Sequence, residues 1–167
     1  KTLNIDNPRL DCRLEGYNNF SPKRIILDKN LNIKLNSYIF KSVKKGNTTI
    51  FYNTTNTPKI KILKKKGVIL VKIRLNSEGL LDLKIVLKKL FALGTRSLLV
   101  EGGDKMTKNL IKYKLIDTFY LFQSPKILRM NKINQSFTSF GILNDKYKKV
   151  SKITSKLAKD NITIYKR

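Results

Sequence analysis

The sequence contains no histidine and only one cysteine, Cys12. Without histidine, neither a Ser-His nor a Cys-His nucleophilic pair can form. A zinc site would need a shell built almost entirely from carboxylates, which is unusual, so we expect no metal. A single cysteine permits no internal disulfide, which is typical of proteins from a reducing compartment.

Long apolar runs and the familiar nucleotide-binding loops are also missing. The apolar stretches are only a few residues long, whereas roughly 20 residues are needed to span a bilayer, and we expect no membrane span. The sequence has no G-x-x-x-x-G-K-[ST] loop and no G-x-G-x-x-G turn. It also lacks the H-x-E and P-C-x-x-C pair of zinc deaminases. Any nucleotide cofactor must therefore be held in another way.

Acidic residues are scarce, with 11 Asp and Glu against 36 Lys and Arg and a formal net charge of +25. Such a charge raises the hypothesis of a basic nucleic-acid-binding module. However, 29 of these cations are lysines spread along the chain and only 7 are arginines. Because sequence-specific DNA recognition favours arginine, we favour a solvated basic surface and keep the nucleic-acid module as an alternative.

The length of 167 residues indicates one domain. Apolar runs and alternation predict strands over 24–27, 48–52, 68–73, 97–100, 117–123 and 162–165. Helices are predicted to begin near Thr57, Leu83 and Asp104 and to end before Gly67, before Gly94 and at Lys114. Residues 1–23 are rich in turn signals, and 126–160 predict loop with a short strand or two. Alternating strands and helices over 48–123 predict an α/β fold with a largely parallel sheet.

The most informative stretch runs from Leu98 to Asp104. An apolar run ends on Glu101, two glycines follow, and Met106 opens an amphipathic helical pattern. The pattern predicts Glu101 at the carboxyl end of a buried strand, with bare backbone amides at the start of a helix. Ligands of open α/β sheets bind at that edge, and helix N-termini attract phosphate.

Four segments, in order, resemble the reductase domain of riboflavin biosynthesis. They are TLNIDNPRLDCR at 2–13, PKRIILD at 22–28, GTRSLLVEGG at 94–103, and the stretch 115–128. That domain is the C-terminal half of a bifunctional deaminase–reductase. The resemblance implies a dihydrofolate-reductase-like, three-layer α/β fold whose mostly parallel sheet is flanked by helices. It also implies a single reductase domain over 1–167 that is N-terminally incomplete, with the first strand missing.

The resemblance further implies NADPH-dependent reduction of 5-amino-6-(5-phosphoribosylamino)uracil to its ribitylamino form, by a cytoplasmic homodimer. Whether this chain is itself active stays open. The alternative within the same class is another reductase of this fold that acts on a different pterin or pyrimidine.

The resemblance assigns roles to residues position by position. Leu10, Arg13 and Glu101 match substrate contacts, and Glu101 could accept from an aminouracil N–H or a ribose hydroxyl. Taken singly, Leu10 would be core and Arg13 a surface cation; for Glu101 the alternative is a cap of the following helix, but the ligand role is favoured even for this residue alone. Lys29 stands where the family often has serine, and a lysine there could meet the 2′-phosphate of NADPH. The positions that match cofactor contacts are Thr2, Asp6, Gly103, Asp104, Lys105, Met106, Thr107, Lys108 and Asn109.

Overall fold

The computed structural model describes residues 2–124, 139–154 and 160–167. These form two compact units, Lys1–Leu98 and Leu99–Arg167. The described elements of the first unit are α1 (Thr2–Asp6), β1 (Arg24–Leu27), α2 (Tyr38–Lys41), β2 (Thr48–Tyr52), α3 (Thr57–Lys65), β3 (Ile69–Lys72) and α4 (Leu83–Ala92). Those of the second are α5 (Asp104–Lys112), β4 (Thr118–Gln123), α6 (Phe140–Lys146), β5 (Lys148–Thr154) and β6 (Asn161–Lys166).

The first unit is built on a parallel sheet in the order β1-β2-β3. In its register, Ile26 lies beside Ile50, which lies beside Leu70. All five residues of the central strand β2 are buried, as expected for a strand covered on both faces. The predicted parallel sheet flanked by helices is therefore confirmed for β1 to β3.

Alternate residues of the sheet face two hydrophobic clusters, one on each side. Ile26 and Ile50 pack with Ile39 of α2 and Leu63 of α3 on one side. Phe51 packs on the other side against α4; the buried members there are Phe51, Ile73, Leu81, Val86 and Leu90. Helices on both faces of one sheet give the three layers that the sequence predicts.

Capping residues decide where the helices begin and end. Asn56 caps α3 by accepting from the amide of Lys59 at 3.2 Å, and the helix begins at Thr57 as predicted. Asp82 caps α4, and Gly94 follows this helix with φ +86°, which is the left-handed geometry typical of a helix end. Phe91, near the C-terminal end of α4, is 63% exposed.

The predicted strand 97–100 is wrong. These residues have no regular structure, and Leu99 is 81% exposed. A strand exists only where a neighbour satisfies its backbone hydrogen bonds, and no strand of the described residues pairs with this run. An apolar run carries no information about its partner. Glu101 consequently does not follow a strand.

The second unit is an antiparallel sheet in the order β4-β6-β5, covered on one face by helices. The predicted strands 117–123 and 162–165 are confirmed as β4 and β6. The helix α6 within the predicted loop 126–160 was not anticipated. The core of this unit consists of Ile111, Leu121, Leu143, Tyr147 and Tyr165.

Some predictions lie outside the described residues. They are the part of the resemblance over 125–128 and the parts of the predicted loop over 126–138 and 155–159. Among the described helices, none combines the length and apolarity that crossing a membrane requires.

Candidate active site

The glycine bend after Glu101 is exposed and leads directly into α5. Gly103 is the residue before the helix, with φ −73° and ψ 166°. Its carbonyl accepts from the amides of Met106 and Thr107 at 3.0 and 3.1 Å. The amide of Lys105 precedes these first intrahelical bonds, as helix geometry requires. The bend thus leaves an open helix N-terminus, as the sequence predicts.

Glu101 is an exposed carboxylate without a hydrogen bond or ion pair to any described residue. No side chain makes a capping hydrogen bond at the start of α5. The alternative in which Glu101 serves as the cap of this helix is therefore wrong. The side chain is available for a ligand on the solvent side of the bend.

Gly102 lies against the side chain of Met106. A Cβ atom at Gly102 would displace the terminal methyl group of Met106, which is the end of a flexible side chain. Met106 is half-buried and Leu110 is buried, whereas Tyr113 just after the helix is 38% exposed. Ile111 is fully buried in the core of this unit.

The first turn of α5 carries charges of both signs. Lys105 and Lys108 are exposed, whereas the Asp104 carboxylate accepts a hydrogen bond from the Ser139 hydroxyl at 3.3 Å. Ser139 is only 2% exposed and immediately precedes α6. A negative charge at this position also interacts favourably with the helix dipole. Asp104 therefore links α5 to α6, a role that the sequence did not indicate.

One short stretch, which begins in α1, contains three of the predicted site residues, Asp6, Leu10 and Arg13. Thr2 is the first residue of this helix and Asp6, which is exposed, is the last. Leu10 packs against the core cluster of the sheet and has φ +51°. Arg13 is exposed and has no hydrogen bond or ion pair to any residue that the structure describes.

Asn7 closes α1, although the sequence pattern predicted only turns here. Its amide donates to the carbonyl of Leu3 at 3.2 Å and its φ is +43°. A left-handed asparagine followed by proline is a common helix end. A helix of five residues is too short to show periodicity, which is why only its stop signal was visible.

The carboxyl edge of the parallel sheet carries three polar residues, of which the sequence pattern singles out only Lys29. Asp28 accepts from the amide of Ile33 at 2.7 Å. The Lys29 ammonium donates to the carbonyl of Gly79 at 3.1 Å, and Asn53 donates to the carbonyl of Ile73 at 2.6 Å. These bonds fix the loops at this edge, where ligands of α/β sheets commonly bind.

Arg24 is the buried cation of the first unit, at 5% exposure. Its guanidinium donates to the hydroxyl and the carbonyl of Ser42, at 2.8 and 3.1 Å, and to Asn47 Oδ1 at 3.3 Å. Desolvation by burial lowers the pKa of Arg24, while the nearby Asp11 carboxylate and Tyr38 oppose this shift. The contacts attach the end of α2 to the start of β1.

Each unit thus presents its own set of predicted site residues. The first unit brings Asp6, Leu10 and Arg13 into one stretch, and the second brings Glu101 beside the N-terminus of α5. Within the described residues, no cluster of three or more His, Cys, Asp or Glu could hold a metal ion.

Comparison with known proteins identifies the family. The model of the RibD C-terminal domain matches residues 1–159. The chain belongs to the RibD C-terminal domain family. The predicted resemblance to the reductase half of a deaminase–reductase is confirmed by this match.

Relatives of known name cover about three quarters of the chain. The chain is 32% identical over 139 residues to 2,5-diamino-6-ribosylamino-4(3H)-pyrimidinone 5′-phosphate reductase of Debaryomyces hansenii, covering 76% of this chain and 56% of that protein. It is 31% identical over 130 residues to riboflavin biosynthesis protein RibD of Chlamydia trachomatis, covering 77% and 34%. The chain therefore spans between a third and somewhat more than half of these relatives.

Solved structures share the fold. RibD of Acinetobacter baumannii superimposes with a TM-score of 0.72 at 20% identity, covering 99% of this chain and 44% of that one. A pyrimidine reductase-like protein of Corynebacterium diphtheriae gives 0.73 at 17% identity, covering 99% and 72%. The dihydrofolate-reductase-like α/β architecture expected of RibD reductase domains is confirmed.

Proposed function

We propose that this RibD-family chain is an NADPH-dependent oxidoreductase of riboflavin biosynthesis. Its reaction is the reduction of 5-amino-6-(5-phosphoribosylamino)uracil to the ribitylamino form, with hydride delivered to C1′ of the opened sugar. The observation that carries this proposal is an exposed carboxylate, Glu101, directly ahead of the open N-terminus of α5. The names of the relatives, a pyrimidinone phosphate reductase and RibD, support it.

The chemistry of the donors at α5 fits the phosphates of a dinucleotide. Backbone amides at a helix N-terminus and the positive end of the helix dipole favour anions. The exposed ammonium groups of Lys105 and Lys108 add charge in the first turns. When bound, the reduced nicotinamide supplies the hydride, and the protein contributes placement and a suitable field. The proposed cofactor residues of this unit are Gly103, Asp104, Lys105, Met106, Thr107, Lys108 and Asn109.

The proposed substrate residues match the functional groups of a phosphorylated pyrimidine riboside. The guanidinium of Arg13, which has no hydrogen-bond or ion-pair partner among the described residues, suits a 5′-phosphate, because it can form two parallel charge-assisted hydrogen bonds. The exposed carboxylate of Glu101 can accept from an N–H of the pyrimidine or from a ribose hydroxyl. Leu10 is proposed as an apolar contact of the substrate. The cofactor residues proposed in the first unit are Thr2 and Asp6.

Binding of NADPH, followed by nicotinamide fluorescence, tests the cofactor proposal. We expect saturable binding that Gly103→Trp abolishes, because the indole would cover the start of α5. Gly141→Trp is the matched control, since Gly141 lies on α6 and nothing lies within 4 Å of a Cβ built there. Equal loss of binding in both variants, or absence of binding by the wild type, would refute the cofactor site.

Glu101→Gln tests the substrate role with almost no change of shape. We expect it to weaken binding of the phosphoribosylaminouracil while binding of NADPH falls little. Asp145→Asn removes an equally exposed carboxylate on α6 and should leave both affinities unchanged. If Glu101→Gln behaves like Asp145→Asn, Glu101 is not a substrate contact.

A second substrate is favoured by the names of two relatives. Proteins of Debaryomyces hansenii and Aquifex aeolicus are both named 2,5-diamino-6-ribosylamino-4(3H)-pyrimidinone 5′-phosphate reductase. That pyrimidinone carries an amino group where the uracil carries a carbonyl oxygen. A binding competition between the phosphorylated uracil and the phosphorylated pyrimidinone identifies which ring the protein prefers. A dihydropterin added as a third competitor tests the alternative of a reductase that acts on a different pterin or pyrimidine.

Salt dependence separates the enzyme from the nucleic-acid-binding alternative. Binding of duplex DNA through lysines would fall steeply with salt, since each phosphate contact releases a counterion. We expect weak, non-specific DNA binding and a modest salt dependence for NADPH. Tight DNA binding without NADPH binding would favour the basic module instead.

We also propose one cytoplasmic reductase domain that works as a homodimer, on the strength of the family. Tyr120 and Phe122 on β4 are exposed on the same face of the antiparallel sheet, and exposed apolar patches often mark protein interfaces. Light scattering should report twice the chain mass, and Phe122→Lys should shift it toward the monomer. A monomer at all concentrations would refute the homodimer.

A further inference from the structure

The loop from Asn7 to Arg13 is held in one conformation by contacts that the proposed reaction does not use. Two of its residues, Asn7 and Leu10, have left-handed backbone angles, with φ +43° and +51°. For leucine this conformation is unfavourable, because its Cβ crowds the following carbonyl. Unfavourable backbone angles persist only where surrounding contacts determine them, and they concentrate at functional sites.

The first contact fixes the start of the loop. The Asn7 side-chain oxygen accepts from the backbone amide of Tyr38 at 2.8 Å. Tyr38 is the first residue of α2, and Ser37 before it makes no side-chain capping bond. Asn7 therefore provides a hydrogen-bond acceptor to the N-terminus of α2 from a distant part of the chain.

The second contact fixes the middle of the loop. The guanidinium of Arg9 lies over the ring of Tyr38, 4.5 Å from its centre, and Arg9 Nε donates to Asp11 Oδ2 at 3.3 Å. Leu10, between them, packs into the core cluster. The Cys12 amide donates to the Ser21 hydroxyl at 3.1 Å, which fixes the end of the loop.

The two arginines of the loop differ in their contacts. Arg9 is occupied by Tyr38 and Asp11, whereas Arg13, one residue beyond the last fixed amide, is exposed and unpaired among the described residues. A loop that is already ordered loses less conformational entropy when a ligand binds. We propose that Asn7 and Arg9 are positioning residues, which hold the loop on Tyr38 so that Arg13 is presented to the phosphate of the substrate.

This inference rests on the proposed role of Arg13, and the experiment separates the two. The probe is ribose 5-phosphate, titrated calorimetrically into the full chain. Asn7→Gly tolerates the positive φ but removes the acceptor, and it should weaken binding about three- to tenfold, the range that one hydrogen bond of ordinary strength supports. Asn7→Asp keeps an acceptor oxygen and should bind nearly as the wild type does.

Asn4→Ala is the matched control. Asn4 also joins α1 to the rest of the unit, by donating to the carbonyl of Asn32 and accepting from the amide of Lys34, at 3.0 and 3.1 Å. Its loss should lower the melting temperature at least as much as Asn7→Gly does, but should leave the affinity for ribose 5-phosphate unchanged. A merely structural role for Asn7 would make the two variants alike.

Coupling with Arg13 provides the decisive readout. If Asn7 acts through Arg13, Asn7→Gly should cause no further loss of affinity in an Arg13→Gln background. Should Asn7→Gly fold poorly, Arg9→Met tests the second contact with the Asn7 bond intact. Unchanged affinity in Asn7→Gly and Arg9→Met, with weakened binding in Arg13→Gln, would overturn the positioning role alone. Unchanged affinity in Arg13→Gln would overturn the proposed phosphate contact itself.

Discussion

Replacing Arg24 with methionine should destabilise the protein, because the half-buried carbonyl of Ser42 would lose its donor. Ser42 Oγ would keep its own bond to the carbonyl of Tyr38 at 2.9 Å, and Asn47 Oδ1 would keep the hydroxyl of Thr48 at 2.9 Å. Among the acceptors of Arg24 within residues 2–124, only the carbonyl of Ser42 has no other hydrogen-bond donor.

An unsatisfied buried acceptor costs about 1–3 kcal/mol. Removal of a buried charge offsets part of this cost, because the guanidinium no longer has to be desolvated. Because the carbonyl is half-buried and the charge removal offsets part of the cost, we expect a loss of about 1 kcal/mol in the free energy of unfolding, at the lower end of that range. Methionine keeps most of the apolar stem, so a cavity contributes little.

Urea unfolding followed by circular dichroism measures the change, as a shift of the midpoint at constant slope. Arg96→Met is the matched control. Arg96 donates to the carbonyl of Phe91 at 3.0 Å and lies over its ring at 4.4 Å, but on the exposed surface. Its loss should cost no more than about 0.5 kcal/mol. Equal effects of the two substitutions would refute the reasoning about burial.

The pH dependence follows from the lowered pKa of Arg24. Between this lowered pKa and the ordinary pKa of arginine, the unfolded chain binds more protons at this site than the folded one does, so stability rises with pH in that window. Below it, the arginine is charged in both states. The difference in the free energy of unfolding between wild type and Arg24→Met should therefore stay constant from about pH 6 to about pH 9. A difference that changes with pH in this range would contradict the assignment of a charged Arg24.

Three further substitutions test other parts of the structure by urea unfolding. Lys29→Met should cost about 1 kcal/mol, because the carbonyl of Gly79 loses its ammonium donor; no loss would show that this contact is unimportant. Leu143→Ala, at a fully buried position, should cost about 2–5 kcal/mol through the cavity it leaves, and a negligible effect would contradict the core of the second unit. Leu99→Lys should change stability by no more than about 0.5 kcal/mol, whereas a loss of several kcal/mol would indicate a buried strand at 97–100.

The sequence predicted those elements whose signals are local. Strand β2 consists of β-branched and aromatic residues, Asp82 and Gly94 mark the ends of α4, and the glycine pair before α5 marks the open helix N-terminus. Each of these features depends on residues within one or two turns of each other. For that reason the parallel sheet, α4, α5 and the bend after Glu101 agree with the structure.

Features that depend on distant partners could not be predicted. The run 97–100 has the composition of a strand but lacks a neighbour, and no pattern within four residues reveals this. The contacts of Asn7 with Tyr38 and of Lys29 with Gly79 join residues 31 and 50 positions apart. The resemblance to a family located Leu10 and Arg13, but only the structure distinguishes Arg9, which contacts Tyr38 and Asp11, from Arg13, which has no partner in the part of the chain that the structure describes.

The central claim is that the N-terminus of α5, beside Glu101, receives the phosphates of NADPH. Amide hydrogen exchange of the full chain, with and without saturating NADPH, tests it most directly because it reports the location of binding. The account predicts slower exchange at Lys105 and the amides that follow it, with little change at α6. Binding that protects other amides and leaves the start of α5 unchanged would contradict the account.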